Sequence, residues 1–309
     1  MLMRNMLLLA VAQGAFGTPG TPVAGTHAIQ CRALAPSPIN AETVKRTLLK
    51  GYKGNFGSFA VGEYRQLEIE IELGSSGAAG TAPRFAPLLI GCGAAETISA
   101  GVSAAYQPVN SGEPYYTLYC YLDGLRFSLE DAKFTSSFEL NAKQIPVMKV
   151  TAIGKYVAMT DTALPGGAVF TNTADPQPVG KVNTPTFTIH GEAVKLTSFS
   201  LDWGNQLVWR DMPNFQGVVC NDRMPTARAV FELGAVASKN WPEIRRLSTS
   251  GALAIVHGVG AGKIVQIDAP AMVMNADPTL SEDQGITMVN TSWDLRPSSG
   301  NDEFVFTFK

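Results

Sequence analysis

Charge is scarce in this chain. Lysine, arginine, aspartate and glutamate make up 16% of its 309 residues, against about 25% in ordinary globular chains. Apolar residues reach 45%, which points to much surface buried between subunits. Net charge is −2 and the isoelectric point is near 6.0. No basic block occurs, so the electrostatic footprint of a nucleic-acid-binding protein is missing. Long apolar runs are lacking too. The run Met6–Ala12 is interrupted by Gln13 and Gly14, far short of the roughly 20 residues that a membrane-spanning helix needs. The four cysteines, Cys31, Cys92, Cys120 and Cys220, include no pair at the close spacing of a zinc site. They are expected to be free, buried thiols of a reducing cytoplasm.

Catalytic patterns are equally absent. His27, His190 and His257 have no histidine four residues on and no acidic neighbour at ligand spacing. There is no G-x-S-x-G elbow. Asp202 and Asp211 flank Trp203 and Trp209, but a carboxylate pair means little without geometry. HGVGAGKI, from His257 to Ile264, has the outline of a phosphate-binding loop. His257 stands where the first glycine belongs, and Ile264 where a hydroxyl would hold magnesium. A glycine-rich hairpin turn between strands is expected instead. No catalytic, cofactor-binding or metal-binding residue is expected, and no enzyme.

What is present is strand. Leu67-Glu-Ile-Glu-Ile-Glu-Leu73 alternates with period two. YYTLYCYL from Tyr115, FTSSFEL from Phe134, VMKVTAIGKY from Val147 and KLTSFSLDW from Lys195 extend the theme. Helical signals are few. Phe85–Cys92 is one short helix closed by Gly93, and Trp241–Leu247 another, with Asn240 as N-cap and Pro242 in the first turn. The predicted class is all-β with one short helix per half.

A stretch poor in charge and rich in Pro, Gly, Thr and Asn, residues 162–184, reads as a linker. The segments on its two sides follow one order: strand, short helix, hairpin, strand, return strand. A duplicated β-domain is the expected organisation: an N-terminal arm 1–27, a first domain 28–161, the linker, and a second domain 185–309. The opening MLMRNMLLLAVAQGAFG resembles a short secretory leader, with Arg4, an apolar run and Ala10-Val11-Ala12 before Gln13. One base and a run at the lower limit of about 7–15 residues favour a retained structural arm. The exported alternative is a β-rich binding or adhesin module.

Glu68, Glu70 and Glu72 are the sharpest local feature. Alternation puts them on one strand face and Leu67, Ile69, Ile71 and Leu73 on the other. Three neighbouring carboxylates repel, so their face must meet water or bases. A solvated outer face, a basic surface across a subunit interface and a wet channel all meet that need.

RNMLLLAVAQGAFGTPGTPVAGTHAI, from Arg4 onward, resembles the opening of phage tail tube proteins (major tail proteins) of long, non-contractile tails. The similarity continues through VKRTLLKGYKGNFGS, through LEIEIELGSSGAAGTAPRFAPLLIGCGAAET and YQPVNSGEPYYTLYCYLDG, and into the C-terminal SSGNDEFVFTF. Residues 74–93 are its most specific part. Val11, Ala12 and Gln13 stand where the family more often has a charged residue, and Phe16 where Tyr is common.

The resemblance implies two tandem tail-tube-type β-sandwich or barrel domains in a structural protein of the virion, assembled in the host cytoplasm. Subunits form rings, and rings stack into a hollow tube through which genomic DNA is ejected. One-domain family members form rings of six. A duplicated chain implies a homotrimer of pseudo-sixfold symmetry, with a homohexamer as the alternative. Implied partners are other copies of the chain, a tape-measure protein, tail terminator and distal tail proteins, and double-stranded DNA passing without specific binding; no membrane and no cofactor are implied. The arm is then expected to be buried against neighbouring subunits or the next ring. Loops Leu73–Pro83 and Val157–Val182 are expected to bridge rings or subunits and to order on assembly. Glu68, Glu70 and Glu72 become candidates to face the lumen.

Overall fold

Alternating apolar and polar residues dictate strands, and strands dominate. A computed structural model describes residue 2 and residues 4–309; Met1 and Met3 of the expected arm lie outside the described residues. The chain begins with β1 (Met6–Ala12), a one-turn helix α1 (Ala24–His27), β2 (Ala28–Ile29), β3 (Ala33–Pro36), β4 (Asn40–Lys45) and the long β5 (Ser58–Glu72). Helix α2 (Ala86–Gly91) precedes β6 (Ala94–Ser99), β7 (Ser103–Pro108), β8 (Tyr116–Leu122), β9 (Leu125–Asn141) and β10 (Val147–Asp161). Next come β11 (Thr186–Ile189), β12 (Glu192–Ala193), β13 (Leu196–Asp202), β14 (Asn205–Met212), β15 (Phe215–Arg223) and β16 (Thr226–Glu232). The chain closes with α3 (Trp241–Arg246), β17 (Gly251–His257), β18 (Val265–Met274), β19 (Thr279–Asp283), β20 (Ile286–Leu295) and β21 (Val305–Phe308).

The protein is thus predominantly β, and its strand pairs are antiparallel. Helices α2 and α3 are the short helix expected in each half. The turn α1 is an addition. It lacks apolar periodicity and is held by a distant side chain: Arg84 donates from Nε to the Ala28 carbonyl (2.8 Å) and from Nη2 to that of Gly25. In α3, Asn240 accepts from the Glu243 N–H at 3.2 Å, capping the helix as its sequence suggests. Gly91 in α2 lies where a Cβ would meet the Phe134 ring at 2.1 Å, so glycine lets the helix lie against β9.

The two halves repeat one pairing order. In the first, β1 pairs with β8, β8 with β9, β9 with β10, β10 with β5 and β5 with β3. In the second, β11 pairs with β17, β17 with β18, β18 with β20, β20 with β16 and β16 with β13. Helix α2 follows β5 as α3 follows β16. Each half also inserts a hairpin at the same point of the order. β4 with the first part of β5 forms one, and β14 with β15 the other.

The halves are fused. The end of β9 pairs with β13, from Ser137 opposite Asp202 to Asn141 opposite Ser198. The last strand, β21, lies between β18 of the second half and β7 of the first. One apolar cluster runs through both halves. At its centre Phe306 stacks on Trp203 (centroids 6.0 Å apart) and meets Phe138 edge-on, also at 6.0 Å. Phe308 meets Phe85 and Tyr106 at 5.6 Å. All four cysteines are free, but only Cys92 and Cys120 are buried; Cys31 and Cys220 are partly exposed, against expectation. Burial pushes the Cys92 and Cys120 thiols up to about 12.

One expectation, for the arm, is corrected, and the loops have anchors on their own chain. Strand β1 runs along β8 from Met6 opposite Leu122 to Ala12 opposite Tyr116, and Leu7, Leu8, Leu9 and Ala10 are buried. The arm's apolar side is therefore covered by its own chain, because an apolar strand pairs with the open sheet edge within its reach. The loops expected to bridge subunits dock on the chain itself. Ala174 donates to the Ser75 carbonyl (2.9 Å), Gly77 to that of Gly262 (2.8 Å) and Val179 to that of Gln144 (2.8 Å), while residues 157–161 belong to β10.

The glycine-rich turn after His257 joins β17 to β18, as a hairpin should. Gly262 has φ +78° and lies so close to Gly77 that a Cβ would meet its carbonyl carbon at 2.3 Å. Buried His257 ties the connector 162–184 to this turn: Nδ1 lies 2.9 Å from Thr184 Oγ1, and Nε2 2.9 Å from the Gln177 carbonyl. The carbonyl can only accept, so Nε2 carries the proton and Nδ1 accepts from the Thr184 hydroxyl.

Two predictions follow from the shared core and the tethered connector. Phe306→Ala should cost about 3–5 kcal/mol, typical of truncating a buried aromatic, in a single denaturant transition for both halves; two separate transitions would contradict the shared core. Burial lowers the pKa of His257 and His190. The fold thus favours the neutral rings, a contribution complete above about 6.5 and lost as pH falls below it. The thermal midpoint should drop between about pH 7.5 and about pH 5, and less steeply in His257→Gln; equal slopes would exclude His257 as a contributor.

Candidate functional site: a concave polar sheet face and its open edges

The β9–β13 junction makes one sheet from strands of both halves, in the order β3, β5, β10, β9, β13, β16, β20, β19. Its inward side chains belong to the core: Leu67, Ile69, Ile71 and Leu73 of β5 are buried. Glu68, Glu70 and Glu72 point the other way, as alternation requires.

Register extends that outer face across the sheet. One row reads Glu70, Lys149, Ser137, Asp202, Thr226, Asp294. The next reads Glu72, Val147, Glu139, Ser200, Arg228, Ser292. Carboxylates outnumber bases in both rows together, and short hydroxyl side chains fill much of the rest. The part of this face on β3, β5, β10, β9 and β13 is hollow. An open hollow of about 500 Å³ lies over it, bordered by Ala33 and Ala35 of β3, Glu68 and Glu70 of β5, Lys149 of β10 and Asp202 of β13.

The carboxylates are partly neutralised within the chain. Arg32 Nε lies 3.2 Å from Glu70, and Lys149 Nζ 2.6 Å from Glu139. Lys149 also stands directly opposite Glu70 on the neighbouring strand. The repulsion among Glu68, Glu70 and Glu72 is thus relieved by water and by two bases that pattern reading did not find. A lone Lys149 in VMKVTAIGKY gives no sign of its cross-strand partner until the register is known.

Each end of this sheet has an open edge. Among the described residues, β3 at one end pairs only with β5, and β19 at the other only with β20. Arg65 holds the segment beside β3 in place. It is buried, donates to the carbonyls of Ser128 and Pro38 (both 2.9 Å), and lies over the rings of Phe127 and Tyr156 at 5.3 and 4.8 Å.

His257 and His190 build no second site. His257 has both ring nitrogens engaged, and His190 lies against Trp293 with Nε2 3.1 Å from the Met272 carbonyl. Asp202 accepts from the Gly204 N–H at 2.9 Å; Asp211 is exposed on β14. Among the described residues no group of three or more His, Cys, Asp or Glu side chains is placed to hold a metal ion.

No family model matches the chain. No curated protein matches it either.

Lys149→Glu tests the electrostatics of this face. It removes the pair with Glu139 and sets like charges opposite Glu70. The expected cost is about 1 kcal/mol, shrinking at about 1 M salt, where screening reaches about 3 Å. Unchanged stability at low salt would show that these charges do not interact.

Proposed function

We propose that this chain is the tube-forming subunit of a long, non-contractile phage tail, built from two tandem tail-tube-type β domains. Copies close edge to edge into rings, and stacked rings form a hollow tube for DNA ejection. The observation that carries this reading is the internal β9–β13 junction. In the repeated order, β13 corresponds to β3. β20 pairs first with β19 and then with β18, as β10 runs along one long β9. β19 therefore corresponds to the end of β9. The pairing used once within the chain is available again between chains, with β19 of one copy beside β3 of the next. Repeated around a ring, it satisfies both open edges and closes the sheet.

Three chains carry six such repeats, so the ring is a homotrimer with pseudo-sixfold symmetry; a homohexamer is the alternative. Closure turns the hollowed face inward, where Glu68, Glu70 and Glu72 line the lumen. Carboxylates and hydrated hydroxyls give a passing polyanion no counter-charge to bind, so double-stranded DNA slides. The tube ends meet tail terminator and distal tail proteins, and a tape-measure protein is a further partner. The exported-module reading requires cleavage before Gln13. That cut would strip β1 from the sheet and uncover β8 and the core around Leu8 and Leu9, so the leader-like run supports an integral strand instead.

Electron microscopy of the purified protein tests this directly. End-on averages should show hollow rings with three chains, their channel lined by the Glu68 face. Six chains per ring would keep the function and discard the trimer. Monomers at every concentration would reject the tube.

A further inference from the structure

The hairpin of β4 and the first part of β5 carries side chains that the core does not use. Between Glu42 and Glu63 it holds Lys45, Arg46, Lys50 and Lys53 and no acid. Leu49 is 102% exposed and Tyr52 65%. The cations stack on the hairpin's own rings: Lys50 Nζ lies 5.8 Å from the Tyr52 centroid and 5.3 Å from that of Phe56, and the Arg46 guanidinium 5.6 Å from that of Phe59. None of the four forms an ion pair among the described residues. Basic and apolar groups are thus displayed together without an ion-pair partner among the described residues, the composition of a docking element.

The other end of the sheet offers the complement. Strand β5 runs from the hairpin to Glu72, which stands opposite Val147, itself opposite Glu139. Register carries that end across β13 and β16 to Glu232, opposite Met288 of β20. The β19–β20 turn therefore lies at the end of the sheet away from the hairpin. It presents Glu282 and Asp283 beside the half-exposed Ile286. From Asp277 to Leu295 the chain has acids and no base.

We propose that the tip from Lys45 to Phe56 docks head-to-tail on the β19–β20 turn of a second copy. Its lysines face Glu282 and Asp283, and its apolar side chains cover Ile286. Unlike patches meeting head to tail make a heterologous contact that propagates along an axis. The inference rests on the tube reading and names the contact along the stack, distinct from the β19–β3 contact around the ring.

The test uses the full chain carrying K50E/K53E, E282K/D283K, or all four changes, followed by electron microscopy and sedimentation. Lys50 and Lys53 lie in the exposed hairpin tip, so K50E/K53E should yield isolated rings with loss of stacks. Glu282 and Asp283 end β19, the strand at the ring contact, so E282K/D283K is read for ring closure as well as stacking: rings should form without stacks, and the four-fold charge swap should recover stacks. Loss of the rings themselves in E282K/D283K would overturn the separation of the two contacts. Stacks unchanged in K50E/K53E would overturn the docking while leaving the ring standing. Isolated rings in each pair without recovery in the swap would overturn the choice of acceptor. A wild-type chain that stays monomeric would overturn both this contact and the tube.

Discussion

The pairing of β9 with β13 is the contact on which the remaining architecture depends. Its hydrogen bonds alone would be worth little, since each replaces one to water. What makes it firm is the apolar layer behind it. Phe138 and Leu140 of β9 lie in register with Leu201 and Phe199 of β13, and Phe306 and Trp203 pack over the same region. Burial of this kind is worth roughly 25 cal/mol per Å², so aromatic area outweighs the ladder. A nearly buried ion pair, Arg223 to Glu303 at 2.8 Å, adds a second link, with Arg223 also donating to the Val109 carbonyl. Neither half can be removed without exposing the core of the other.

Joining the two halves through β9 and β13 moves the problem of sheet edges to the ends of the chain's own sheet. An open edge invites indiscriminate pairing, and proteins limit this with short strands and proline. Both devices are present. β3 spans Ala33–Pro36 and ends in a residue with no N–H to donate, and β19 spans only Thr279–Asp283. Arg65 fixes the Pro38 carbonyl beside β3 through a guanidinium whose pKa burial lowers. Its cost of desolvation is offset by two carbonyls and two ring faces. An edge held this way is short and leaves few hydrogen-bonding groups free.

Charge is distributed with the same economy. The hollowed face balances its carboxylates with Arg32 and Lys149 and remains net acidic along the rows described. The projecting hairpin collects bases without acids. A weakly charged chain thus has two surfaces of opposite character, one net acidic along its rows and one basic.

The sequence by itself determined the β class, the helices at Phe85–Cys92 and Trp241–Leu247, the shared face of Glu68, Glu70 and Glu72, the hairpin after His257, and the recurring element order. These are local properties: period-two alternation, capping residues and glycine conformations act within a few residues. Only the tertiary structure decided that β1 completes the sheet beside β8, that β21 lies between the halves, that the connector is tied down by His257, and that Lys149 and Arg32 neutralise the glutamates. Each of those depends on pairing partners far apart in the chain. Which edge meets which is chosen by the total apolar area buried, a sum over both halves that no single stretch of sequence contains.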